Sequence, residues 1–312
     1  MKAIRAHRHG GPEVLQMDEL PDAAPGTGEA RVRVEAAGVN FIDTYHRTGL
    51  YKMELPVRLG QEGAGVVEAV GDGVDGALVG ERVAWAGAPG SYATHVVAPV
   101  AKLVRVPAGV GADVAAAAML QGMTAHYLVR STYAVKRGDR VLMHAAAGGV
   151  GLLVCQLAAA AGAHVIGTVS TDAKAAAARA AGAAEVVRYD QVASIRDVQV
   201  AYDGVGATTW RASLDALAVR GMLVLFGNAS GPVPPVDPFL LSPRSLFLTR
   251  PVLGHYTATR DELTWRAGEI FDLIAKGELA ITIDRQLPLD QAAEAHRLLE
   301  SRATSGKLLL LP

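Results

Sequence analysis

The feature that most constrains the fold is a long segment without charge. From Val141 to Thr171 the chain carries no Asp, Glu, Lys or Arg. A segment of this length would satisfy the rule for a transmembrane helix, which needs about 20 apolar residues. Glycines and two histidines, however, divide it into a strand, a helix and a second strand, each shorter than a membrane span. Because parallel strands buried on both faces are continuously apolar, the segment predicts a β-α-β unit in a soluble domain.

The first turn of this unit reads HAAAGGVG, residues 144–151. The three places of a dinucleotide-binding G-x-G-x-x-G pattern are Ala146, Gly148 and Gly151, with alanine in the first. Small residues here let a pyrophosphate approach the main chain and bind the N–H groups at the helix N-terminus. The same pattern also occurs where a helix packs tightly on a sheet. The motif by itself is therefore compatible with a nucleotide site and with a packing role.

The chain has a mostly β part followed by an alternating part. In the first part, short strand patterns are separated by Gly and Pro turns. After Asp113, helix and strand patterns alternate, and six strands predict a doubly wound parallel sheet. Thr259 and Glu262 form a capping-box pair before a further helix, and a last helix and strand exceed what the sheet needs. We predict an α/β protein with domains at 1–115 and 116–256, and a return to the first domain over 257–312.

Composition indicates an ordinary soluble enzyme. The 312 residues are 50% hydrophobic and 20% charged, with a formal net charge of −1, so neither a nucleic acid nor an acidic partner is indicated. The single cysteine, Cys155, excludes an intramolecular disulfide and suits a reducing compartment such as the cytoplasm. The first residues lack the apolar core of a signal peptide, so we expect no secretion signal.

Six motifs together resemble one known family. They are HGGPEVLQ near the start, GVNFIDTYHRTGLY at 38–51, LGQEGAGVV at 59–67, HAAAGGVG at 144–151, FGNASG at 226–231 and LESRATSGKLLLLP at the end. The combination spans the whole chain and resembles the quinone oxidoreductases, the zinc-free, zeta-crystallin-like branch of the medium-chain dehydrogenase/reductase family. This resemblance implies a GroES-like substrate domain, a Rossmann domain that binds NADPH, and a homodimer joined through edge strands of the Rossmann sheets.

The catalytic zinc ligands of related alcohol dehydrogenases have no counterpart in this sequence. By resemblance, Asn40 and Gln61 stand where those enzymes have a Cys and a His, and neither side chain supplies a thiolate or an imidazole. Without zinc there is no Lewis acid to polarise an alcohol oxygen. We therefore expect a protein without a metal site that does not oxidise simple alcohols.

The end of the second Rossmann strand distinguishes NADPH from NADH. An Asp or Glu there would bind the ribose 2′-hydroxyl and repel a 2′-phosphate, whereas this chain reads TVS at residues 168–170. Lys174 lies one turn into the helix that follows, where it is either a phosphate ligand or a solvated lysine. The resemblance implies that Ser170, Lys174, Tyr189 and Arg302 surround the 2′-phosphate, which favours NADPH. Asp172 is a departure, because relatives in the family have a neutral residue in its place.

The resemblance also implies the other contacts with the cofactor. The pyrophosphate would lie on the amides of Gly149 and Val150 beside Gly148. Asp43 would either be structural or contact the nicotinamide end. The remaining expected contacts are Phe41, Thr124, Val205, Phe226, Gly227 and Asn228.

The candidates for the acceptor pocket lie in the segment GVNFIDTYHRTGLY. A quinone accepts electrons strongly, so orientation beside the nicotinamide can supply most of the catalysis, with acid assistance optional. Asn40 is the candidate hydrogen-bond donor, and Tyr45 and Tyr51 are phenols that can donate to a developing phenolate. A tyrosine in such a segment is also commonly a packing residue, so these catalytic assignments depend on the resemblance.

Two other functions are compatible with the sequence. An NADPH-dependent reductase of α,β-unsaturated aldehydes or ketones needs a similar pocket, and the sequence does not separate it from a quinone reductase. The second alternative is an NADPH-binding protein with a structural or RNA-binding role, although the near-neutral charge argues against nucleic acid. One departure from the family concerns the region between Tyr189 and Asp203, which is several residues shorter than usual.

Overall fold

The computed structural model describes residues 1–312. The chain forms two compact units, of which the first comprises Met1–Met123 and Thr257–Pro312 and the second comprises Thr124–Tyr256. The division falls within a helix that spans Ala112–Tyr127. Each unit contains its own β-sheet structure.

The structure contains 16 strands and eight α-helices, joined by short 3₁₀ turns and one π-helical turn. The strands are β1 (Lys2–Ala6), β2 (Leu15–Glu19), β3 (Glu29–Val39), β4 (Val57–Arg58), β5 (Glu62–Val70), β6 (Arg82–Ala86), β7 (His95–Pro99), β8 (Leu103–Arg105), β9 (Arg140–Met143), β10 (His164–Val169), β11 (Glu185–Arg188), β12 (Val198–Asp203), β13 (Leu217–Leu225), β14 (Phe247–Thr249), β15 (Ile283–Pro288) and β16 (Lys307–Leu311). The helices are α1 (Phe41–Thr48), α2 (Ala112–Tyr127), α3 (Gly149–Ala160), α4 (Asp172–Ala180), α5 (Trp210–Asp215), α6 (Leu253–Tyr256), α7 (Arg260–Ala275) and α8 (Ala292–Glu300).

Strand β3 is the centre of the first unit. Its residues Ala30, Val32 and Val34 are buried, and the arginines between them are at least partly exposed, because successive side chains of a strand point to opposite faces. Strands β5 and β16 pair with β3 in antiparallel register, and β7 also pairs with it. The full order is β15-β16-β3-β5-β6-β8, and a smaller sheet has the order β2-β1-β4. The C-terminal strand therefore lies in the same sheet as β3 of the N-terminal segment.

The second unit contains a six-stranded parallel sheet in the order β11-β10-β9-β12-β13-β14. Numbered along the unit, this order is 3-2-1-4-5-6, which is the order of a Rossmann fold. The predicted doubly wound α/β architecture is confirmed. Strands β9 and β12 are neighbours although two strands lie between them in sequence, and the crevice at their carboxyl ends is where such sheets bind ligands.

The charge-free segment forms β9, the glycine turn, α3 and β10, as its sequence predicts. None of the helices is long and apolar enough to cross a bilayer. A Cβ added to Gly151 would lie 2.2 Å from the carbonyl oxygen of Ala145, and one added to Gly167 would lie 2.7 Å from the Cβ of Ala146. Close packing of the turn and of α3 on the sheet therefore requires glycine at both places.

Gly148 differs from these two glycines. An added Cβ there meets only the Ala145 carbonyl oxygen, at 3.1 Å, and its φ of −77° is accessible to any residue. Helix packing therefore explains Gly151 and Gly167, whereas a side chain at Gly148 would press only on the Ala145 carbonyl oxygen. An open approach to the main chain at Gly148 is what a bound pyrophosphate requires.

Two further local features bear on the sequence predictions. Helix α7 begins with the predicted capping box, because Thr259 Oγ1 accepts the amide of Glu262 at 3.2 Å and the Glu262 carboxylate accepts the amide of Thr259 at 3.4 Å. The short segment between β11 and β12 contains a 3₁₀ helix, Tyr189–Ser194, and no α-helix. Tyr189 is thus the first residue of this 3₁₀ helix.

Candidate functional site

The glycine turn presents unpaired backbone amides at the start of α3. Leu152 donates its amide to the carbonyl oxygen of Gly148 at 2.9 Å, which is the first bond of the helical ladder. The amides of Gly149, Val150 and Gly151 precede that bond, and the N-cap Gly148 has no side chain with which to accept from them. These amides and the helix dipole favour a negatively charged group, so the turn fits a pyrophosphate.

A buried polar network lies beneath this turn. Asp203, at the end of β12, accepts hydrogen bonds from the amides of Val205 and Gly206 at 2.9 Å each, and from the hydroxyls of Thr209 and Ser213. Since the Ser213 hydroxyl donates to Asp203, its oxygen accepts from His144 Nε2 at 2.8 Å. Burial lowers the pKa of His144, which keeps the ring neutral. The network therefore ties the carboxyl ends of β9 and β12 to α5.

Tyr189 packs on this network rather than pointing away from it. Its ring stacks on that of His144 with a centroid distance of 6.0 Å and an interplanar angle of 9°. Its hydroxyl oxygen accepts the amide of Ala145 at 3.1 Å. Tyr189, which the resemblance implies for the 2′-phosphate, is thus fixed beside the glycine turn and the end of β10.

The end of β10 continues into the first turn of α4. Thr171 is the N-cap and accepts the amide of Lys174 at 3.2 Å, and Ser170 is exposed just before it. Asp172 forms an ion pair with Arg188 at 2.9 Å. The proposed phosphate ligands Ser170 and Lys174 are therefore close together in sequence at this end of the sheet. Arg302 belongs to the first unit, where it follows α8 with a φ of 57°.

The loops after β12 and β13 bring four of the expected cofactor contacts together: Val205, Phe226, Gly227 and Asn228. The amide of Phe226 donates to the carbonyl oxygen of Asp203 at 2.9 Å. A Cβ added to Gly227 would lie 2.5 Å from the carbonyl oxygen of Gly204, so the two loops touch only because glycine is present. Val205 and Asn228 are both buried, and Thr124, the first residue of the unit, is buried as well.

In the first unit, Asn40 caps the start of α1 and its amide is fully engaged. Its Oδ1 accepts from Lys307 Nζ at 2.7 Å and from Gln121 Nε2 at 3.3 Å. Its Nδ2 donates to Glu62 Oε1 at 2.7 Å and to the Gly38 carbonyl oxygen at 3.4 Å. The expected role of Asn40 as a donor to substrate stays a prediction, and it requires Asn40 to exchange one of these internal bonds.

Lys307 and Glu62 form a buried ion pair next to Asn40. Burial lowers the pKa of Lys307, and the negative charge of Glu62 opposes that shift. Glu62 Oε2 also accepts the amide of Leu120 at 2.6 Å. The side chain of Asn40 is thus surrounded by an internal ammonium, a carboxylate and a second amide, and no group of three or more potential metal ligands occurs among residues 1–312.

Three aromatic side chains form a second feature of α1 and the loop that follows it. The ring centroids of Tyr45 and Tyr51 lie 5.3 Å apart in an edge-to-face arrangement, and those of Phe41 and Tyr45 lie 6.4 Å apart. Tyr45 is 9% exposed and Tyr51 is 36% exposed, so Tyr51 is the more accessible phenol. The structure therefore brings all three predicted aromatic residues together in one cluster.

A buried hydrogen-bond chain leads away from α1, and sequence reasoning did not find it. Arg47 donates to His296 Nδ1 at 2.9 Å, so that nitrogen is the acceptor and the proton of the neutral ring lies on Nε2. Nε2 then donates to the Tyr92 hydroxyl oxygen at 3.2 Å, and Tyr92 donates to Asp43 Oδ2 at 3.0 Å. Asp43 Oδ2 also accepts the amide of Asn40 at 2.9 Å.

One carboxyl group and one imidazole in this hydrogen-bond chain have strongly shifted pKa values. Burial raises the pKa of Asp43 to about 7 against the opposing bonds from Asn40 and Tyr92. Burial, and then the positive charge of Arg47, lowers the pKa of His296 to about 3. Asp43 is the N3 residue of α1, and its carboxyl group is bonded to the Asn40 amide and the Tyr92 hydroxyl. These internal bonds support a structural role for Asp43 over contact with the nicotinamide.

Known proteins of one family resemble this chain along its whole length. Residues 26–108 match the family model for the alcohol dehydrogenase GroES-like domain, and residues 149–269 match the model described as zinc-binding dehydrogenase. The first unit therefore contains the predicted GroES-like domain. The quinone oxidoreductase of Pseudomonas aeruginosa is 48% identical, with 100% of this chain and 99% of that protein covered.

Two further relatives support this assignment and widen it. The crystal structure of Escherichia coli quinone oxidoreductase complexed with NADPH has a TM-score of 0.97 at 45% identity and covers 100% of both chains. A 2-haloacrylate reductase from Burkholderia is 41% identical, with 98% of this chain and 97% of that protein covered. Identity at this level over the full length shows that the chain belongs to the quinone oxidoreductases of the medium-chain dehydrogenase/reductase family.

Proposed function

We propose that the protein is an NADPH-dependent quinone oxidoreductase. The observation that carries this proposal is the glycine turn, where the amides of Gly149 and Val150 precede the helical ladder and Gly148 is open to an approaching group. A dinucleotide pyrophosphate fits this turn. The full-length similarity to a quinone oxidoreductase that was crystallised with NADPH supports both the cofactor and the reaction. NADPH supplies the hydride, from C4 of its nicotinamide.

The 2′-phosphate of the cofactor is assigned to the end of β10. Ser170 and Lys174 carry a hydroxyl and an ammonium there, and the Tyr189 hydroxyl contacts the amide of Ala145 in the glycine turn. Arg302 completes the group that the family uses for this phosphate. The loop residues Val205, Phe226, Gly227 and Asn228, together with Thr124 and Phe41, are the further cofactor contacts that we propose.

The acceptor is assigned to the aromatic residues of α1 and its following loop. A quinone that takes up a hydride develops negative charge on an oxygen, and the phenols of Tyr45 and Tyr51 are donors suited to that charge. Most of the acceleration is assigned to orientation, because a quinone accepts a hydride without activation by a metal. The reaction is accordingly proposed to be independent of zinc. Asn40 is proposed as a hydrogen-bond donor to the acceptor, in exchange for one of the bonds that its Nδ2 donates to Glu62 and Gly38.

We also propose a cytoplasmic homodimer joined through the Rossmann edge strand. The edge strand β14 leaves Phe247 55% exposed, and Phe239 nearby in sequence is 82% exposed. Unpaired strand edges with exposed apolar side chains favour association between chains. Light scattering of the wild type and of a Phe247→Glu variant would test the dimer.

A second candidate reaction is the reduction of an activated carbon–carbon double bond. The full-length similarity to a 2-haloacrylate reductase favours it as an alternative. The same donors would then stabilise the developing enolate, and hydride would arrive at the β-carbon instead of the quinone ring.

One assay separates these reactions and tests the acceptor site. NADPH consumption is measured with a panel of quinones and enones, in the presence and absence of a chelator, for the wild type, Tyr45→Phe and Tyr51→Phe. We expect quinones to be the better acceptors, the chelator to have no effect, and Tyr45→Phe to lower kcat while the affinity for NADPH stays unchanged. No turnover with any quinone would refute the proposed function, and unchanged kinetics in both variants would leave orientation as the only contribution of this segment.

A further inference from the structure

We propose that Asp172 and Arg188 form a charge pair that sets the preference for NADPH over NADH, with Arg188 as an additional ligand of the 2′-phosphate and Asp172 as its competing internal anion. The inference depends on the proposed use of NADPH. It concerns two residues outside the group of Ser170, Lys174, Tyr189 and Arg302.

The backbone places both residues at the proposed phosphate site. In the parallel pairing of β10 with β11, Arg188 is the partner of Val169, which directly precedes Ser170. Arg188 is also the residue before Tyr189, whose hydroxyl contacts the glycine turn. Asp172 is the first residue of α4 and directly follows the N-cap Thr171. The pair therefore lies at the carboxyl end of the second Rossmann strand, where side chains bind the 2′-hydroxyl or 2′-phosphate of the ribose.

The contact between the two side chains leaves donors to spare. Arg188 Nη2 donates to Asp172 Oδ1 at 2.9 Å, and this is a single-point contact. Nη1 of Arg188 is buried and has no partner. A guanidinium can donate to two oxygens of one phosphate at once, so this side chain can recognise a phosphate more fully than it binds Asp172.

The exposure of the pair allows such an exchange. The Asp172 side chain is 99% exposed and that of Arg188 is 39% exposed, so water screens their attraction. A 2′-phosphate carries more charge than a carboxylate and has more acceptor oxygens. NADPH can therefore take Arg188 from Asp172 at small cost, whereas NADH leaves the pair intact.

Asp172 then opposes binding of the 2′-phosphate more strongly without its partner than with it. A carboxylate near the end of the second strand ordinarily favours NADH and repels a 2′-phosphate. Here Arg188 neutralises that carboxylate, and the N-terminus of α4 stabilises it further. Removal of Arg188 would expose the phosphate to the uncompensated charge of Asp172, so the two residues should be thermodynamically coupled in NADPH binding and uncoupled in NADH binding.

The test is a binding cycle with both nucleotides. Dissociation constants for NADPH and NADH are measured by fluorescence titration for the wild type, Arg188→Gln, Asp172→Asn and the double variant. We expect Arg188→Gln to raise the dissociation constant of NADPH about fivefold to tenfold and Asp172→Asn to lower it about threefold. The dissociation constant of NADH should change less than about twofold in each variant. The double variant should lie between the two, and each difference should shrink as salt is added.

Matched controls come from an exposed ion pair in the same unit. Arg211 and Asp215 lie one turn apart on α5 at 3.0 Å, and Arg211→Gln and Asp215→Asn make the same changes in net charge. We expect both to leave the NADPH to NADH ratio unchanged. If the wild type prefers NADPH and Arg188→Gln leaves the ratio of the two dissociation constants unchanged, this proposal is overturned and the proposed cofactor is not. Wild type that does not prefer NADPH would overturn the proposed cofactor itself. Retained NADH affinity in each variant shows that it is folded.

Discussion

Replacing Asp43 by asparagine should change how the stability of the first unit depends on pH. Asp43 and His296 are joined through Tyr92 in one buried chain of hydrogen bonds, and their pKa values are shifted in opposite directions. Burial raises the pKa of Asp43 from 3.8 to about 7, and burial with the charge of Arg47 lowers the pKa of His296 from 6.5 to about 3. The two groups therefore make opposite contributions to the free energy of unfolding.

The signs follow from the protons bound in each state. Because the pKa of Asp43 is raised by folding, its contribution is fully present below pH 3.8 and is lost as pH rises through about 7. Because the pKa of His296 is lowered by folding, its contribution is present above pH 6.5 and is lost as pH falls through about 3. Between these limits the folded chain holds its proton on Asp43, and the unfolded chain holds it on His296, so the two dependences cancel in the wild type.

Asparagine preserves the geometry and removes the titration. Its carbonyl oxygen can accept from the Asn40 amide and the Tyr92 hydroxyl as Asp43 Oδ2 does. One bound proton corresponds to about 1.4 kcal/mol per pH unit. The unfolding free energy of Asp43→Asn relative to the wild type should therefore rise with pH by about that slope between pH 3.8 and about 7. His296→Gln should show the opposite slope between about pH 3 and 6.5. The double variant should differ from the wild type by a constant between pH 3.8 and 6.5, where the two ranges overlap.

Urea unfolding followed by tryptophan fluorescence measures this difference, because Trp85 is completely buried in the first unit. Comparison with the wild type at each pH cancels the contributions that groups common to both proteins make to the free energy of unfolding. These groups include Lys307 and Glu62 near Asp43 and Arg47 beside His296. A difference between Asp43→Asn and the wild type that does not vary with pH would refute the reasoning.

Two other substitutions test the glycine turn and the buried ion pair. Gly148→Val should lose NADPH binding, because its side chain would occupy the approach to the amides of the glycine turn. The added Cβ lies 3.1 Å from the Ala145 carbonyl oxygen, so we expect a small decrease in the melting temperature of the nucleotide-free protein. Unchanged NADPH titration would contradict this prediction. Lys307→Met should destabilise the first unit by about 3–5 kcal/mol in urea unfolding, because it leaves the Glu62 carboxylate buried without a counter-charge. The double variant Lys307→Met with Glu62→Gln should recover much of that loss, and equal destabilisation in both would argue against an ionic origin.

The architecture was predictable because it depends on local patterns. The charge-free segment 141–171 had to be divided by its glycines into strand, helix and strand, and the order of six apolar strands gave the doubly wound sheet. The capping box is likewise a local pattern, with Thr259 and Glu262 three positions apart, and the structure contains it. The sequence also pointed to the glycine turn, although it did not separate packing from nucleotide binding. The tertiary structure adds that a Cβ at Gly151 would lie 2.2 Å from the Ala145 carbonyl oxygen, whereas one at Gly148 would lie 3.1 Å from it.

The polar networks of the site were decided by tertiary structure alone. Asn40 contacts Lys307 across 267 residues of sequence, and Arg47 contacts His296 across 249. Nothing in the local pattern around Asn40 shows that its amide is already engaged, and a single lysine before the apolar LLLL strand was the one available sign of a buried cation. Periodicity and turn chemistry act over a few residues and are written in the sequence. Burial of a charge and the identity of its partner depend on which distant strands and helices meet, and only the folded chain determines that.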